Sequence, residues 1–214
     1  MSLKILGILL AAGDSRRMGN PKLSLTLGSS NIGSLCLTSA IQSTLDHVVV
    51  VKKTEDSLAW LDSILQEGNG KSRWTACTSE NAQLGQAYSL KAGIRAAIKL
   101  EADAVVLLLA DQPFLSTNVV NKLICTYRQA VEQGKDPEFV AVEYDGLKRP
   151  PVLFSNSVFT KLLELNGDQG ARQLIRNDRL SGMTIPCRNQ LTFFDVDTKE
   201  DYQKALIEGR KMFR

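Results

Sequence analysis

Apolar residues along the chain fall into two alternating patterns. Four runs, Ile5 to Ala11, His47 to Val51, Trp74 to Cys77 and Ala104 to Ala110, are short and dense in Val, Ile, Leu and Ala. The first, second and fourth lack polar alternation, as expected of strands covered by helices on both faces. Between the runs, residues 35–45, 56–66 and 86–100 carry apolar side chains three and four apart, as in Leu58, Leu61, Ile64 and Leu65, the spacing of one helix face. Strand and helix in alternation predict βαβ crossovers and a parallel sheet. A further helix is predicted from Ser116 or Thr117 to about Glu132, with Gly134 as its stop.

The pattern changes from Phe139. A run to Tyr144, the turn Asp145-Gly146 and a returning run from Leu147 to Phe154 make a hairpin signature. Pro150 and Pro151 cannot donate ladder hydrogen bonds, so this second strand is expected at a sheet edge. Short helices are expected at 157–165 and 171–177, then strands at 183–186 and 191–196, then a closing helix from Thr198. The fold class expected is α/β, a Rossmann-like three-layer arrangement around a mostly parallel sheet. Residues 1–214 are expected to be one domain, with 139–180 as an insertion on the substrate side.

Composition narrows the chemistry only a little. Apolar residues at 43% and charged residues at 23% of 214 are ordinary globular values. A net charge of +3 suits small anionic substrates, and nucleic acid is not an expected partner because the basic residues are not clustered. Cys36, Cys77, Cys125 and Cys187 are scattered without a Cys-x-x-Cys pair, which favours a reducing cytoplasm over a disulfide framework or zinc site. The first apolar run is too short to span a membrane and is followed by Asp14, Arg16 and Arg17, so no membrane partner is expected.

Candidate chemistry gathers where strands end. The loop after the first run reads Leu10-Ala11-Ala12-Gly13-Asp14-Ser15-Arg16-Arg17-Met18-Gly19-Asn20-Pro21-Lys22. Glycines and cations at the carboxyl end of a strand suit a triphosphate, since α/β sheets bind ligands there and glycine lets backbone N–H groups approach phosphate. The spacing fits neither the P-loop nor Gly-x-Gly-x-x-Gly. The fourth run delivers Asp111 before Gln112 and Pro113, and the C-terminal segment carries Asp195 and Asp197 before Thr198 and Asp201, which have capping-box spacing. Alternation with Val196 would put Asp195 and Asp197 on one strand face. Carboxylates of this kind can hold Mg²⁺, which keeps several waters and bridges substrate phosphates. The single histidine, His47, precedes a valine run and reads as structural.

The first loop, Leu-Ala-Ala-Gly-x-Ser-x-Arg-Met-Gly-x-Pro-Lys, resembles the signature of the MobA-like nucleotidyltransferases. The likeness extends through 81–90, with Gly85 and Ser89, the Pro150 to Phe154 stretch, and Gly167 to Arg172. It implies a Mg²⁺-dependent transferase with the fold of sugar-phosphate nucleotidyltransferases. In that reading Arg17, Lys22 and Asp111 are catalytic, and Leu10, Ala11, Ala12, Gly13, Arg17, Lys22, Gly85 and Ser89 hold the nucleotide. Asp111 and Asp197 hold the metal, and Arg149, Asp168, Gly170 and Arg172 hold the acceptor.

The doubled alanine and the Asp-Gln-Pro triplet are more similar to the molybdenum-cofactor cytidylyltransferase branch than to the guanylyl branch. The resemblance therefore implies CTP as donor, the phosphate of molybdopterin as acceptor, and a molybdenum hydroxylase apo-enzyme as recipient of the product. Lys148-Arg149 before Pro150 departs from the branch and leaves the acceptor open. A guanylyltransferase, a sugar- or polyol-phosphate nucleotidyltransferase of the same fold, and a non-catalytic cofactor-maturation factor are the alternatives.

Overall fold

The computed structural model describes residues 3–13, 18–19, 21–176 and 180–212. Arg16 and Arg17 lie outside them, as do Asp14, Ser15, Asn20 and residues 177–179. In chain order the strands are β1 (Ile5–Leu10), β2 (Thr26–Leu27), β3 (Ser30–Asn31), β4 (His47–Lys53), β5 (Trp74–Ser79), β6 (Ala104–Leu109), β7 (Phe139–Tyr144), β8 (Leu147–Ser155) and β9 (Gly182–Pro186). The helices are α1 (Ile32–Ile41), α2 (Ser63–Gln66), α3 (Gly68–Ser72), α4 (Gln86–Lys99), α5 (Thr117–Glu132), α6 (Phe159–Glu164), α7 (Arg172–Arg176) and α8 (Lys199–Met212).

Seven strands form one sheet in the order β5-β4-β1-β6-β8-β7-β9, while β2 and β3 make a separate ribbon. The β5, β4, β1 and β6 strands are parallel neighbours, β8 runs antiparallel to β6 and β7, and β9 is parallel to β7. The three-layer, mostly parallel α/β fold expected from the sequence is therefore the observed one. Alternation along β1 divides the core: Ile5 and Leu9 face a layer built on α1 and α5, and Leu6 and Ile8 face a layer built on α4 and α6. Gly93 allows α4 to lie close on the sheet, because a Cβ there would sit 2.5 Å from Ile8 Cγ2.

Three expectations change. The β8 strand is internal, between β6 and β7. Its pairing with β7 jumps from Ala141 opposite Val152 to Val142 opposite Arg149, and its pairing with β6 begins at Val152. Pro150 and Pro151 thus occupy a bulge, where no ladder donor is required, so an edge position is unnecessary. Residues 56–66 do not form one helix; only α2 is helical there. Leu58 adopts a left-handed φ of 61°, and its N–H donates to Asp56 Oδ1 at 2.7 Å, a local side-chain bond that competes with helix. Residues 190–193 form a 3₁₀ turn instead of a strand, started by Asn189, whose Oδ1 accepts from Leu191 N at 3.1 Å.

Candidate active site

The site lies at the carboxyl ends of β1 and β6, the two central parallel strands. Ala11 continues β1 by donating to Val51 O at 2.9 Å, and Ala110 continues β6 by donating to Leu10 O at 3.2 Å. Both chains leave the sheet at the same level. Asp111 therefore emerges beside the first loop, and its carbonyl accepts from Val196 N at 3.0 Å, which brings the Asp195–Asp197 segment alongside.

Lys22, on a 3₁₀ turn begun by Pro21, reaches into this junction. Its ammonium donates to Asp111 Oδ2 at 2.5 Å and to Asp197 Oδ1 at 2.8 Å. Only 6% of the residue is exposed. Burial by itself would lower the Lys22 pKa, but the charge of Asp111 and hydrogen bonds to both carboxylates outweigh it and raise the value above its ordinary one. The lysine is a fixed cation held between two anions.

The junction opens into one cleft, and a second cavity adjoins that cleft. The first cleft is lined by Ala12, Gly13, Gly85, Ser89, Asp111 and Asp197, so six expected nucleotide or metal residues share one wall system. A Cβ on Gly13 would meet nothing within 4 Å; the missing side chain leaves open space beside the strand end. At Gly85 the reason for glycine is different. Its φ is +127°, and a Cβ there would lie 2.2 Å from Gly167 C. The 167–168 backbone packs directly on it and Ala87 N donates to Gly167 O at 3.0 Å. Asp168 consequently lines the first cleft, apart from the other expected acceptor residues.

The second cavity, with an empty volume of about 780 Å³ including its mouth, is lined by Arg149, Gly170 and Arg172. Leu10, Gln86 and Leu109 border both cavities. Gln112 and Asp195, to which the sequence assigned no firm role, meet in the second cavity: Gln112 Nε2 donates to Asp195 Oδ1 at 2.8 Å. Asp195, open to the cavity, is pushed up to about 6 by loss of water around its carboxyl, then by the neighbouring charge of Asp111, against the Gln112 hydrogen bond. Asp195 and Asp197 thus serve adjoining cavities, while Val196 between them is fully buried. No sequence signal marks the Gln112–Asp195 contact, whose partners are 83 residues apart.

A divalent cation fits the junction chemically. Asp111 Oδ1 is buried and has no hydrogen-bond partner, and Asp197 supplies a second carboxylate through a half-exposed side chain. Among the described residues no group of three or more His, Cys, Asp or Glu side chains could hold a metal. Two carboxylates still suit Mg²⁺ or a similar ion that completes its shell with water and phosphate oxygens. His47 stands at the other end of the sheet, at the start of β4, with Nε2 3.0 Å from Thr75 Oγ1, and takes no part.

A glycine at a strand end, a buried lysine and paired carboxylates are groups that a nucleotidyltransferase needs. Residues 7–182 match the family model of the MobA-like NTP transferase domain, and the chain belongs to that family of nucleotidyltransferases. It is 38% identical over 200 residues to the purine catabolism protein PucB of Bacillus subtilis (strain 168), covering 92% of this chain and 94% of that protein. Among solved structures, a homologue of Mycobacterium tuberculosis Rv0371c from mycobacterium sp. strain JC1 superposes with a TM-score of 0.74 at 27% identity, covering 98% of each chain. The manganese complex of Rv0371c from M. tuberculosis H37Rv has the same fold, with a TM-score of 0.69 at 23% identity over 95% of this chain and 98% of that one.

Proposed function

We propose that this transferase moves CMP from CTP to the phosphate of molybdopterin, releasing pyrophosphate, and that the product serves a molybdenum hydroxylase apo-enzyme. The observation that carries the reading is the meeting of Lys22, Asp111 and Asp197 beside a polar cleft that shares Leu10, Gln86 and Leu109 with a second, largely apolar cavity. In this reading residues 1–214 act as one domain, the first cleft takes the nucleotide, and residues 139–180 contribute the acceptor side through Arg149, Gly170 and Arg172. The CTP assignment draws on the Leu-Ala-Ala-Gly and Asp-Gln-Pro segments, and the pterin assignment on the likeness of Pro150 to Phe154 and Gly167 to Arg172. The reaction would draw on cytoplasmic nucleotide, and among the described residues no helix is long and apolar enough to cross a membrane.

A phosphate oxygen of the acceptor attacks the α-phosphorus of CTP in line. A new P–O bond forms as the bond to the pyrophosphate oxygen breaks. The attacking phosphate is already ionised at neutral pH, so no general base is needed and positioning carries the rate. Lys22 supplies a fixed positive charge to the oxygens of the α-phosphate and the leaving group. Gly13 leaves room for the phosphate chain, Gly85 and Ser89 border the nucleoside, and Arg17, outside the described residues, is the second cation implied by the family likeness. Mg²⁺ held by Asp111 and Asp197 would neutralise phosphate charge; the manganese complex of Rv0371c, a protein of the same fold, is in keeping with use of a divalent ion.

The test is incubation of the protein, Mg²⁺ and molybdopterin with each of the four NTPs, with products identified by mass. CTP should yield a cytidine dinucleotide, and Asp111→Asn should lower the rate by on the order of a hundredfold or more. Product from GTP and none from CTP would overturn the cytidylyl assignment. No product with any NTP would favour a carrier without catalytic activity.

A further inference from the structure

The second cavity is polar at two places that the transfer chemistry does not use. At one, Gln112 is 97% buried by virtue of its 3% exposure, its Nε2 is engaged by Asp195 Oδ1, and its Oε1 is buried with no hydrogen-bond partner. An amide acceptor buried without a partner costs free energy in the empty protein, and a ligand N–H that reaches it recovers that cost. Asp195, fixed in place by the same amide, adds a carboxylate to this patch. The pair therefore presents acceptors and no spare carboxamide donor other than the second Nε2 hydrogen. At the other place, Arg149 and Arg172 each carry a buried Nε without a partner, and they stand close enough that Arg149 helps lower the Arg172 pKa, after burial and Arg176. Between the two places the walls are Leu90, Leu107, Leu109, Val152, Pro150 and Phe193.

A ligand that fits is flat and partly apolar, carries negative charge toward the arginines, and offers N–H donors toward Gln112 and Asp195. We propose that Gln112 and Asp195 form a specificity-determining pair that reads two adjacent N–H donors of the acceptor's ring, the ring N–H and 2-amino group of a 2-amino-4-oxopteridine. The Asp195 carboxylate and the amide oxygen of its hydrogen-bonded neighbour Gln112 are two acceptors for two N–H donors, and a charge-assisted pairing adds direction as well as strength. A site built around donors rejects an analogue that lacks one of them, because its own acceptors are then left unpaired. The proposal rests on the reading that the second cavity takes a pterin acceptor, and it concerns recognition alone.

The test uses two probes, pterin and lumazine, the latter carrying a 2-oxo group in place of the 2-amino group. Binding to the full chain is followed by probe fluorescence. The wild-type protein should bind pterin more tightly than lumazine by on the order of tenfold. In Asp195→Asn, which replaces the acceptor facing the 2-amino group by a donor, that preference should disappear or reverse, and Gln112→Leu, which removes the acceptor for the ring N–H that both probes carry, should weaken both. Equal binding of both probes by the wild type, no pterin binding at about millimolar concentration, or equal weakening of both probes in Asp195→Asn would each overturn the proposal. The last pattern is that of a merely structural role. The nucleotide-transfer assay is read separately: no transfer with the pterin preference intact defeats the proposed reaction and leaves this recognition pair standing.

Discussion

At the scale of single residues, Gly85 and Gly13 show that one residue type can be required for opposite reasons. Gly13 leaves space, whereas Gly85 has backbone pressed against it and a φ that L side chains rarely adopt. Gly85→Ala should therefore destabilise the fold by about 2 kcal/mol or more, read as a lower midpoint in urea unfolding. Gly13→Ala should leave the unfolding free energy within about 0.5 kcal/mol of wild type. If both variants unfold alike, the contact between Gly85 and the 167–168 backbone is not tight. Residue type at a strand end made Lys22 and Asp111 visible in the sequence, and Asp197 was singled out by the family likeness. Gln112 and Asp195 were illegible as a pair: each is ordinary by itself, and only the passage of the C-terminal segment past β6 brings them together.

At the scale of elements, capping chemistry ties the C-terminal helix to the site. Thr198 Oγ1 accepts from Asp201 N at 3.1 Å, and Asp201 Oδ2 accepts from Thr198 N at 3.0 Å, so the capping box anticipated from the sequence is formed with Asp in place of Glu. The α8 helix is anchored farther along by Tyr202 Oη, which donates to Thr26 O at 2.7 Å, and by the buried Ala205. Thr198→Ala should cost about 1 kcal/mol, seen as a fall of about 2–4 °C in Tm for a protein of this size. No change in Tm would mean that Asp201 and Tyr202 hold the helix without the threonine. Strands were the most legible elements because buried parallel strands are written as unbroken apolar runs. The segment at 56–66 misled because its leucines do face the core at helical spacing: Leu61 and Leu65 are buried, yet the Asp56 bond to Leu58 N turns the chain first. Proline misled at β8 because the edge rule assumes an unbroken ladder, and the bulge breaks it.

For the whole molecule, the antiparallel half of the sheet is stitched together at its base by Glu138. Its Oε1 accepts from Lys161 Nζ and its Oε2 from Ser181 N, both at 2.7 Å, so one carboxylate joins the start of β7 to α6 and to the residue before β9. The Lys161 hydrogen bond first, then the Ser181 N–H, hold the Glu138 pKa below its ordinary 4.5. A depressed folded value means that stability from this group is fully present above pH 4.5 and is lost as pH falls through the folded value. Glu138→Gln should thus be less stable than wild type at neutral pH, with the gap closing in acid below 4.5. A gap that stays constant down to acid pH would show that the carboxylate charge contributes nothing.

The lysine held between Asp111 and Asp197 has a consequence in time. Its partners lie 89 and 175 residues further along the chain. At a synthesis rate of roughly 5–20 residues per second, the ammonium waits on the order of ten to thirty-five seconds for its second carboxylate to be made. Throughout that interval the growing polypeptide can build β1, β4 and β5 but lacks the full Lys22–Asp111–Asp197 cluster, so on the proposed function it would consume no nucleotide before the rest of its scaffold exists.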